Sequence, residues 1–426
     1  MKSFYNIFKG DKVIWMVFFL LCIISIVEVF SASSALTYKK GNFMGPIIYH
    51  SLILLVGWAV VVVTLNIHCK YFKLFTVFLL GLAFISLIIV LLVGQSTNGA
   101  QRWLSFLGIQ FQPSEIAKGA VVLATAQILS ATQTPNGANK NAFKYVLSMS
   151  TVFIVLIAVE NLSTAALLAA VVVMMMIIGR VPMSQIGKLL GVCFLFIALG
   201  VGSIMIFGHD TKEVTDEENK NELEEVVAEE KTEKGTFDKI FHRADTWKSR
   251  INKFISNEEV PPEKFDLDKD AQVGHANIAI ATSNIIGKGP GNSVERDFLS
   301  QAFSDFIFAI IIEELGIGGA ALVVMLYIVL LFRTGIIASR CENNFPAFLA
   351  MGLALLLTTQ AIFNMMVAVG LAPVTGQPLP LVSKGGTSTI INCVYIGVIL
   401  SISRSAKKRG EPAVATATET KNAINE

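Results

Sequence analysis

Charged residues are scarce in this chain. Only 15% of its 426 residues are Asp, Glu, Lys or Arg, whereas 53% are hydrophobic. Soluble domains carry about 25% charged residues, so the composition excludes a soluble globular protein. The net charge of +2 at pH 7 also lacks the basic excess that favours a nucleic-acid partner.

Cysteine is sparse as well. Each of the five cysteines lies in or beside a hydrophobic block, and none has the spacing of metal ligands; they are Cys22, Cys69, Cys193, Cys341 and Cys393. This pattern argues against a disulfide framework and favours small residues of an apolar core.

Long apolar runs dominate the chain instead. About 20 apolar residues cross a bilayer as a helix, because lipid offers no partners for backbone N–H and C=O groups. The sequence predicts an all-α polytopic membrane protein with about ten transmembrane helices. The predicted spans are 13–34, 46–66, 73–93, 115–131, 145–159, 162–179, 187–207, 306–332, 345–368 and 387–403.

Lysine and arginine concentrate in alternate connections between these spans, which indicates orientation. The bias predicts that both termini are cytoplasmic and that the connection between the seventh and eighth spans is extracytoplasmic. The predicted units are residues 1–207 with seven helices, 208–301 as the outer loop, 302–404 with three helices, and 405–426 as a cytoplasmic tail.

The long outer loop has two distinct parts. Residues 210–234 are rich in Glu and Lys, which predicts a disordered acidic insert. Residues 237–255 alternate apolar and basic side chains at helical spacing, which predicts an amphipathic helix on the outer membrane surface. A loop helix packed on protein without lipid contact is the alternative.

Ionisable groups within membrane spans are costly and mark functional positions. Asp305 lies where the outer loop enters the eighth span, so it is a candidate general base or a cap of that helix. Glu115 and Lys118 are three residues apart, so they can pair across one helical turn. Such a pair either serves a substrate or only neutralises itself. Glu313 and Glu314 are adjacent, so at most one of them is expected to face a given cavity.

The segment 364–389 contains three prolines and the pair Gly385-Gly386, which exclude a regular helix. It predicts a re-entrant outer loop, with a simple reversal between two helices as the alternative.

Five ordered motifs in the chain resemble those of the SEDS family, the shape, elongation, division and sporulation proteins typified by RodA and FtsW. They cover most of residues 13–404. The motifs are Asn98-Gly-Ala-Gln-Arg-Trp103, Gln112-Pro-Ser-Glu-Ile-Ala-Lys118, Gly287-Lys-Gly-Pro-Gly-Asn-Ser293, Ser304-Asp-Phe-Ile-Phe308 with Glu313-Glu-Leu-Gly316, and the stretch from Pro373 to Ser388. Within the family, residues 376–387 look more like the division member than the elongation member.

The resemblance implies a peptidoglycan glycosyltransferase of the cytoplasmic membrane that polymerises lipid II at its outer face, for septal wall synthesis. Asp305 matches the essential aspartate of the family and would be the catalytic base. Arg102 and Lys118 match positions suited to the pyrophosphate leaving group. Gln112, Glu115, Glu314, Ser383 and Lys384, with Arg243 and Arg250 of the outer loop, are the other expected substrate-binding residues.

The family resemblance also implies partners. A class B penicillin-binding protein would supply the transpeptidase, beside other membrane proteins of the division machinery. The sequence contains no recognisable cluster of metal ligands. A divalent cation is an open alternative as a cofactor. Competing interpretations are a lipid II flippase or transporter, which also uses intramembrane charges and broken helices, an elongation-type role, and a scaffold for division partners.

Overall fold

The computed structural model describes residues 8–38, 45–97, 100–106, 109–207, 271–299 and 303–406. These residues are mainly helical, as predicted. In chain order, the helices are α1 Lys12–Tyr38, α2 Gly45–Asn66, α3 Cys69–Val93, α4 Pro113–Ala131, α5 Lys140–Glu160, α6 Leu162–Ile178, α7 Met183–Phe207, the shorter α8 Ala271–Ala281, α9 Ile307–Ser339, α10 Asn344–Ala368 and α11 Gly386–Ser405. Each predicted span coincides with one of the longer helices.

Seven of these helices are long and apolar enough to cross a membrane: α1, α2, α3, α5, α9, α10 and α11. Helix α6 and the part Met183–Leu195 of α7 are also apolar but shorter. Helix α4 carries Glu115 and Lys118 in its first two turns. The chain is therefore a multi-pass membrane protein.

Helices α4, α10 and α11 lie at the centre of the bundle. Helix α10 packs against α4 and α9, and α11 packs against α2. About 67% of the apolar stretches of α10 and α11 is buried, compared with 28% for α3 and α5. Apolar side chains such as Leu74 and Val77 project outward from α3, which is expected where a helix faces lipid.

The long apolar run at the fifth and sixth spans divides at the predicted position. Helix α5 ends at Glu160 and α6 begins at Leu162. Between them, the side chain of Asn161 accepts a hydrogen bond from the backbone N–H of Thr164 at 3.1 Å. Asn161 thus caps α6, which explains why a polar residue interrupts an otherwise continuous apolar run.

Small sheets are a departure from the all-α prediction. Strands β1 Gln95–Thr97, β2 Ala100–Phe106 and β3 Ile109–Phe111 form an antiparallel sheet in the order β1-β2-β3. A second pair, β4 Gln133–Thr134 and β5 Gly137–Ala138, connects α4 with α5. The first sheet leads directly into Pro113, whose fixed φ suits the first position of helix α4.

Helix α9 is broken rather than continuous. Gly316 has φ 70° and ψ −174°, so it interrupts the helix after nine residues. The short half, Ile307–Leu315, begins two residues after Asp305, and the long half continues to Ser339. The predicted single span 306–332 did not anticipate this break.

Asp11 connects the three helices α1, α9 and α11. Its carboxylate accepts from the backbone N–H of Val13 at 2.9 Å, so it caps α1. The same carboxylate pairs with Arg333 of α9 at 2.8 Å, and the backbone N–H of Asp11 donates to the hydroxyl of Ser403 in α11 at 2.9 Å.

Candidate active site

Asp305 lies in a turn immediately before helix α9. The hydroxyl of Ser304 donates to Asp305 Oδ1 at 2.9 Å, and the amide of Asn364 in α10 donates to the backbone carbonyl of Asp305 at 2.9 Å. The N-cap position of α9 is Phe306, so Asp305 lies one residue outside the position from which a carboxylate caps a helix. Hydrogen bonds from Ser304 and Asn364 therefore hold the turn, and the Asp305 carboxylate precedes the N-terminus of α9.

Gly376 brings Asp305 and Arg102 to one point. A Cβ atom placed on Gly376 would lie 3.5 Å from Asp305 Oδ2 and 3.6 Å from Arg102 Nη1. Gly376 also has a φ of +71°, which favours glycine. Gly376, in the proline-containing loop 364–389, thus leaves space between the carboxylate of Asp305 and the guanidinium of Arg102. These two side chains belong to motifs about 200 positions apart in the sequence.

The loop between α10 and α11 is fastened to the turn of Asp305. The hydroxyl of Ser383 donates to the carbonyl of Ser304 at 2.6 Å, and the backbone N–H of Lys384 donates to the carbonyl of Phe303 at 2.9 Å. Lys384 Nζ lies 4.8 Å from the centre of the Phe303 ring, and burial lowers the pKa of Lys384. Ser383 is buried, so its described contacts hold the loop, whereas Lys384 is half-buried beside the turn of Asp305.

Arg102 and Gln112 border a small cavity. Arg102 donates through Nε to the carbonyl of Glu160 at 3.3 Å. The cavity is lined by both apolar and polar residues, namely Leu87, Val90, Arg102, Gln112, Pro113, Ser114, Ile157, Glu160 and Asn161. The hydroxyl of Ser114 is buried and has no hydrogen-bond partner within the described part of the chain.

Glu115 and Lys118 form a buried ion pair inside α4. Lys118 Nζ lies 2.8 Å from Glu115 Oε1 and donates to Gln360 Oε1 of α10 at 2.7 Å. The Gln360 amide in turn donates to the carbonyl of Pro378 at 3.1 Å. Because Lys118 is 0% exposed, the pair as described links α4 to the proline-containing loop, and a contact between Lys118 and substrate stays a prediction.

Glu314 is also inside the protein. It accepts from the hydroxyl of Ser31 in α1 and from the backbone N–H groups of Gly291 and Ser293, at 2.9 and 3.2 Å. Glu314 is 0% exposed. These contacts join Glu314 to α1 and to residues 291–293, and its contact with substrate stays a prediction.

Two predicted site residues, Arg243 and Arg250, lie outside the described residues. The predicted disordered insert 210–234 and the predicted amphipathic helix 237–255 also lie outside them. Among the residues that the structure describes, no group of three or more His, Cys, Asp or Glu side chains could hold a metal ion. The divalent cation therefore stays untested.

The sequence interpretation missed the amides of helix α10. Gln360 and Asn364 are four residues apart, so they lie on one helix face. Asn364 donates to the carbonyls of both Asp305 and Gln377, and Gln377 donates to the hydroxyl of Thr164 at 2.6 Å. The signal available in the sequence was two amides at helical spacing in an apolar span.

Known proteins resemble this chain along almost its whole length. The peptidoglycan glycosyltransferase MrdB of Escherichia coli strain K12 is 26% identical over 94% of this chain and 95% of its own length. A probable peptidoglycan glycosyltransferase FtsW of Geobacter sp. strain M18 is 28% identical, over 92% of this chain and 96% of its own. A chain solved in a study of the structural coordination of polymerization and crosslinking by a peptidoglycan synthase complex has a TM-score of 0.65 at 22% identity, and the match covers 94% of this chain and 99% of that one.

The family model described as a cell cycle protein, FtsW/RodA/SpoVE, matches residues 11–229 and 233–408. The match covers most of the chain, including every motif around Asp305. The chain belongs to the FtsW/RodA/SpoVE family of cell cycle proteins, the SEDS family.

Proposed function

We propose that this protein is a peptidoglycan glycosyltransferase that polymerises lipid II at the outer face of the cytoplasmic membrane. The observation that carries the proposal is the convergence of Asp305 and Arg102 on Gly376, at one end of a membrane-spanning bundle. The names of the relatives from E. coli and Geobacter support the same activity.

In the proposed reaction, Asp305 is the general base. Its carboxylate takes the proton from the 4-hydroxyl of the acceptor GlcNAc as that oxygen attacks the anomeric carbon of the donor. The bond between that carbon and the diphosphate oxygen breaks, and polyprenyl diphosphate leaves. The hydrogen bond from Ser304 to Oδ1 and the one from Asn364 to the backbone orient the carboxylate for this step.

The leaving diphosphate needs cations, because its negative charge develops in the transition state. Arg102 Nη1 lies on the same side of Gly376 as Asp305, and Lys384 is half-buried next to the turn that carries Asp305. We assign leaving-group stabilisation to these two residues. Lys118 would join them only after its pair with Glu115 opens.

The remaining predicted residues divide between substrate and support. Gln112 borders the small cavity beside Arg102, so we assign it to substrate. Glu115, Ser383 and Glu314 support the helices and loops around the site. Arg243 and Arg250 of the outer loop 208–301 stay candidate contacts of the substrate.

The biological setting follows from the membrane orientation and the relatives. The positive-inside charge bias supports cytoplasmic termini and an extracytoplasmic Asp305 end. The described motifs do lie at one end of the bundle, since Thr387 contacts the carbonyl of Gln110 and Lys384 contacts Phe303. We propose a class B penicillin-binding protein as transpeptidase partner, other division proteins as neighbours, and a septal role that rests on residues 376–387.

A lipid II transporter is the second candidate. Broken helices and buried charges are common in transporters. Helix α9 is broken at Gly316, and Glu28 of α1 is 0% exposed with no hydrogen-bond partner for either oxygen among the described residues. The same assay decides between the two candidates.

The test uses the full-length protein, purified with its transpeptidase partner and supplied with labelled lipid II in detergent. Wild-type protein should form glycan polymer, and Asp305→Asn should form none. The matched control is Glu342→Gln, because Glu342 is an exposed carboxylate between α9 and α10, at the opposite end of α9 from Asp305; it should polymerise as well as wild type. Absence of polymer with wild type, together with lipid II movement across vesicles, would favour the transporter.

A further inference from the structure

The break in helix α9 is filled by another part of the chain. Residues 284–296, which we call the plug, come from the end of the long outer loop and contain the motif Gly287-Lys-Gly-Pro-Gly-Asn-Ser293. Gly287, Gly289 and Gly291 all have positive φ. The plug therefore has an irregular backbone that only glycine adopts readily at these positions.

The plug completes the hydrogen bonds that the break removes. At the end of the short half, the carbonyls of Glu313 and Glu314 accept from the backbone N–H groups of Lys288 and Gly289, at 2.9 and 2.8 Å. Beyond the break, the N–H groups of Ile317 and Gly318 donate to the carbonyls of Asn284 and Ile285, at 3.3 and 3.2 Å. A helix end leaves such groups without intrahelical partners, so the plug substitutes for a turn of helix.

Two glycines interlock at this junction. A Cβ atom on Gly287 would overlap the carbonyl oxygen of Glu314, and a Cβ atom on Gly316 would overlap the carbonyl oxygen of Ile285. The obstructing atoms are backbone, which cannot move aside as the end of a side chain can. The close approach of plug and helix thus requires glycine on both sides.

The side chains of Glu313 and Glu314 clasp the same segment. Glu313 accepts from Lys288 Nζ at 2.6 Å, from the hydroxyl of Ser293 and from the backbone N–H of Val294. Glu314 accepts from the backbone of Gly291 and Ser293. Both glutamates are 0% exposed, so adjacent carboxylates that point in different directions hold one loop together.

Glu313 and Glu314 lie near the end of the short half of α9 that is farther from Asp305. The short half of α9 is nine residues long and buried along most of its length. At 1.5 Å per residue it extends about 13 Å, so a tilt of about 5° at Gly316 would move the Asp305 end by about 1 Å. A displacement of that size can cost on the order of a hundredfold in rate.

We propose that the plug, with Glu313 and Glu314 as positioning residues, fixes the short half of α9 and thereby places Asp305 against the reacting hydroxyl. The inference rests on the proposed glycosyltransferase function for its kinetic consequence only. The outer loop then acts on the reaction through the backbone of α9 as well as through any substrate contact.

Gly287→Ala tests the interlock, and Gly370→Ala is its control. Gly370 has a similar φ of +75° but nothing within 4 Å of a new Cβ, so it reports the strain of positive φ without the overlap. We expect Gly287→Ala to lower kcat for lipid II polymerisation by about tenfold to a hundredfold, with KM within about twofold. The control should keep the wild-type kcat.

Hydrogen–deuterium exchange provides a readout that does not depend on activity. In Gly287→Ala, the amides of residues 303–312 should exchange faster than in wild type, while those of α10 stay unchanged. If Gly287→Ala fails to fold, Ser293→Ala decides, because it removes only the hydroxyl that binds Glu313 and should shift exchange and kcat in the same direction by less.

Unchanged exchange in 303–312 together with unchanged kcat in both plug variants would overturn the inference. Wild-type protein that forms no polymer would overturn the proposed function instead, and the exchange measurement would still decide whether the plug holds the short half of α9.

Discussion

The buried pair of Glu115 and Lys118 allows stability and chemistry to be separated by mutation. Lys118→Met removes the cation and leaves Glu115 charged at a site where only 2% of its surface is exposed. Breaking a buried pair from one side costs about 3–5 kcal/mol. The lost hydrogen bond to Gln360 should add about 1 kcal/mol. We therefore expect the free energy of unfolding of Lys118→Met to fall by about 4–6 kcal/mol.

Removing both charges should cost much less. In the double variant Glu115→Gln with Lys118→Met, no charge remains buried, and replacing both partners of such a pair is often close to neutral. We expect a loss of about 1–2 kcal/mol, mainly from the hydrogen bonds to Gln360 and within the pair. Denaturant titration of the purified protein in detergent measures each free energy, and the two single variants with the double variant form a cycle.

Additivity would refute this reasoning. If the double variant loses as much free energy as the two single variants together, the pair has no coupling and the buried charges do not depend on each other. Polymerisation by a folded double variant would show that the pair only supports the fold. Loss of polymerisation in a double variant of near wild-type stability would assign Lys118 to the reaction.

Two smaller changes test other contacts around the site. Tyr395→Phe removes the hydroxyl that donates to the carbonyl of Glu115 at 2.8 Å, and it should lower the free energy of unfolding by about 1 kcal/mol. Tyr71 is exposed, so Tyr71→Phe should leave the free energy of unfolding unchanged. Equal losses in the two variants would contradict the role of the hydrogen bond. Burial lowers the pKa of Lys384 below its ordinary 10.5, so between the lowered value and 10.5 the unfolded chain binds more protons and stability rises with pH. Lys384→Met should remove that alkaline rise in a titration of unfolding against pH, and a rise of unchanged slope would show that another group causes it.

Much of the helical frame followed from hydrophobic runs, because lipid forces apolar segments of sufficient length to be helices. The division at Asn161 and the pair Glu115–Lys118 followed from local spacing, and both are present in the structure. Whether residues 208–301 form one extracytoplasmic unit stays a prediction, since only residues 271–299 of it are described.

The structural features that could not be predicted from the sequence depend on contacts between residues far apart in the chain. Strands β1, β2 and β3 are short and mix polar with apolar residues, so they carry little periodic signal. The break at Gly316 requires the plug, which comes about 30 residues earlier in the chain. The sequence predicts that at most one of Glu313 and Glu314 faces a given cavity. In the structure each glutamate has its own hydrogen-bond donors on the plug. The convergence of Arg102 and Asp305 on Gly376 is a tertiary contact that no local pattern indicates.

The link between Asp11 and Ser403 has a consequence for biogenesis. The two residues are 392 positions apart, so α1 leaves the ribosome well before α11, and this contact can form only once α11 has been made. The helices made earlier must enter the bilayer while this end of the bundle is still open. Folding of this protein thus has a closing step of very high contact order, and changes at Asp11 should slow maturation after synthesis rather than insertion of the helices themselves.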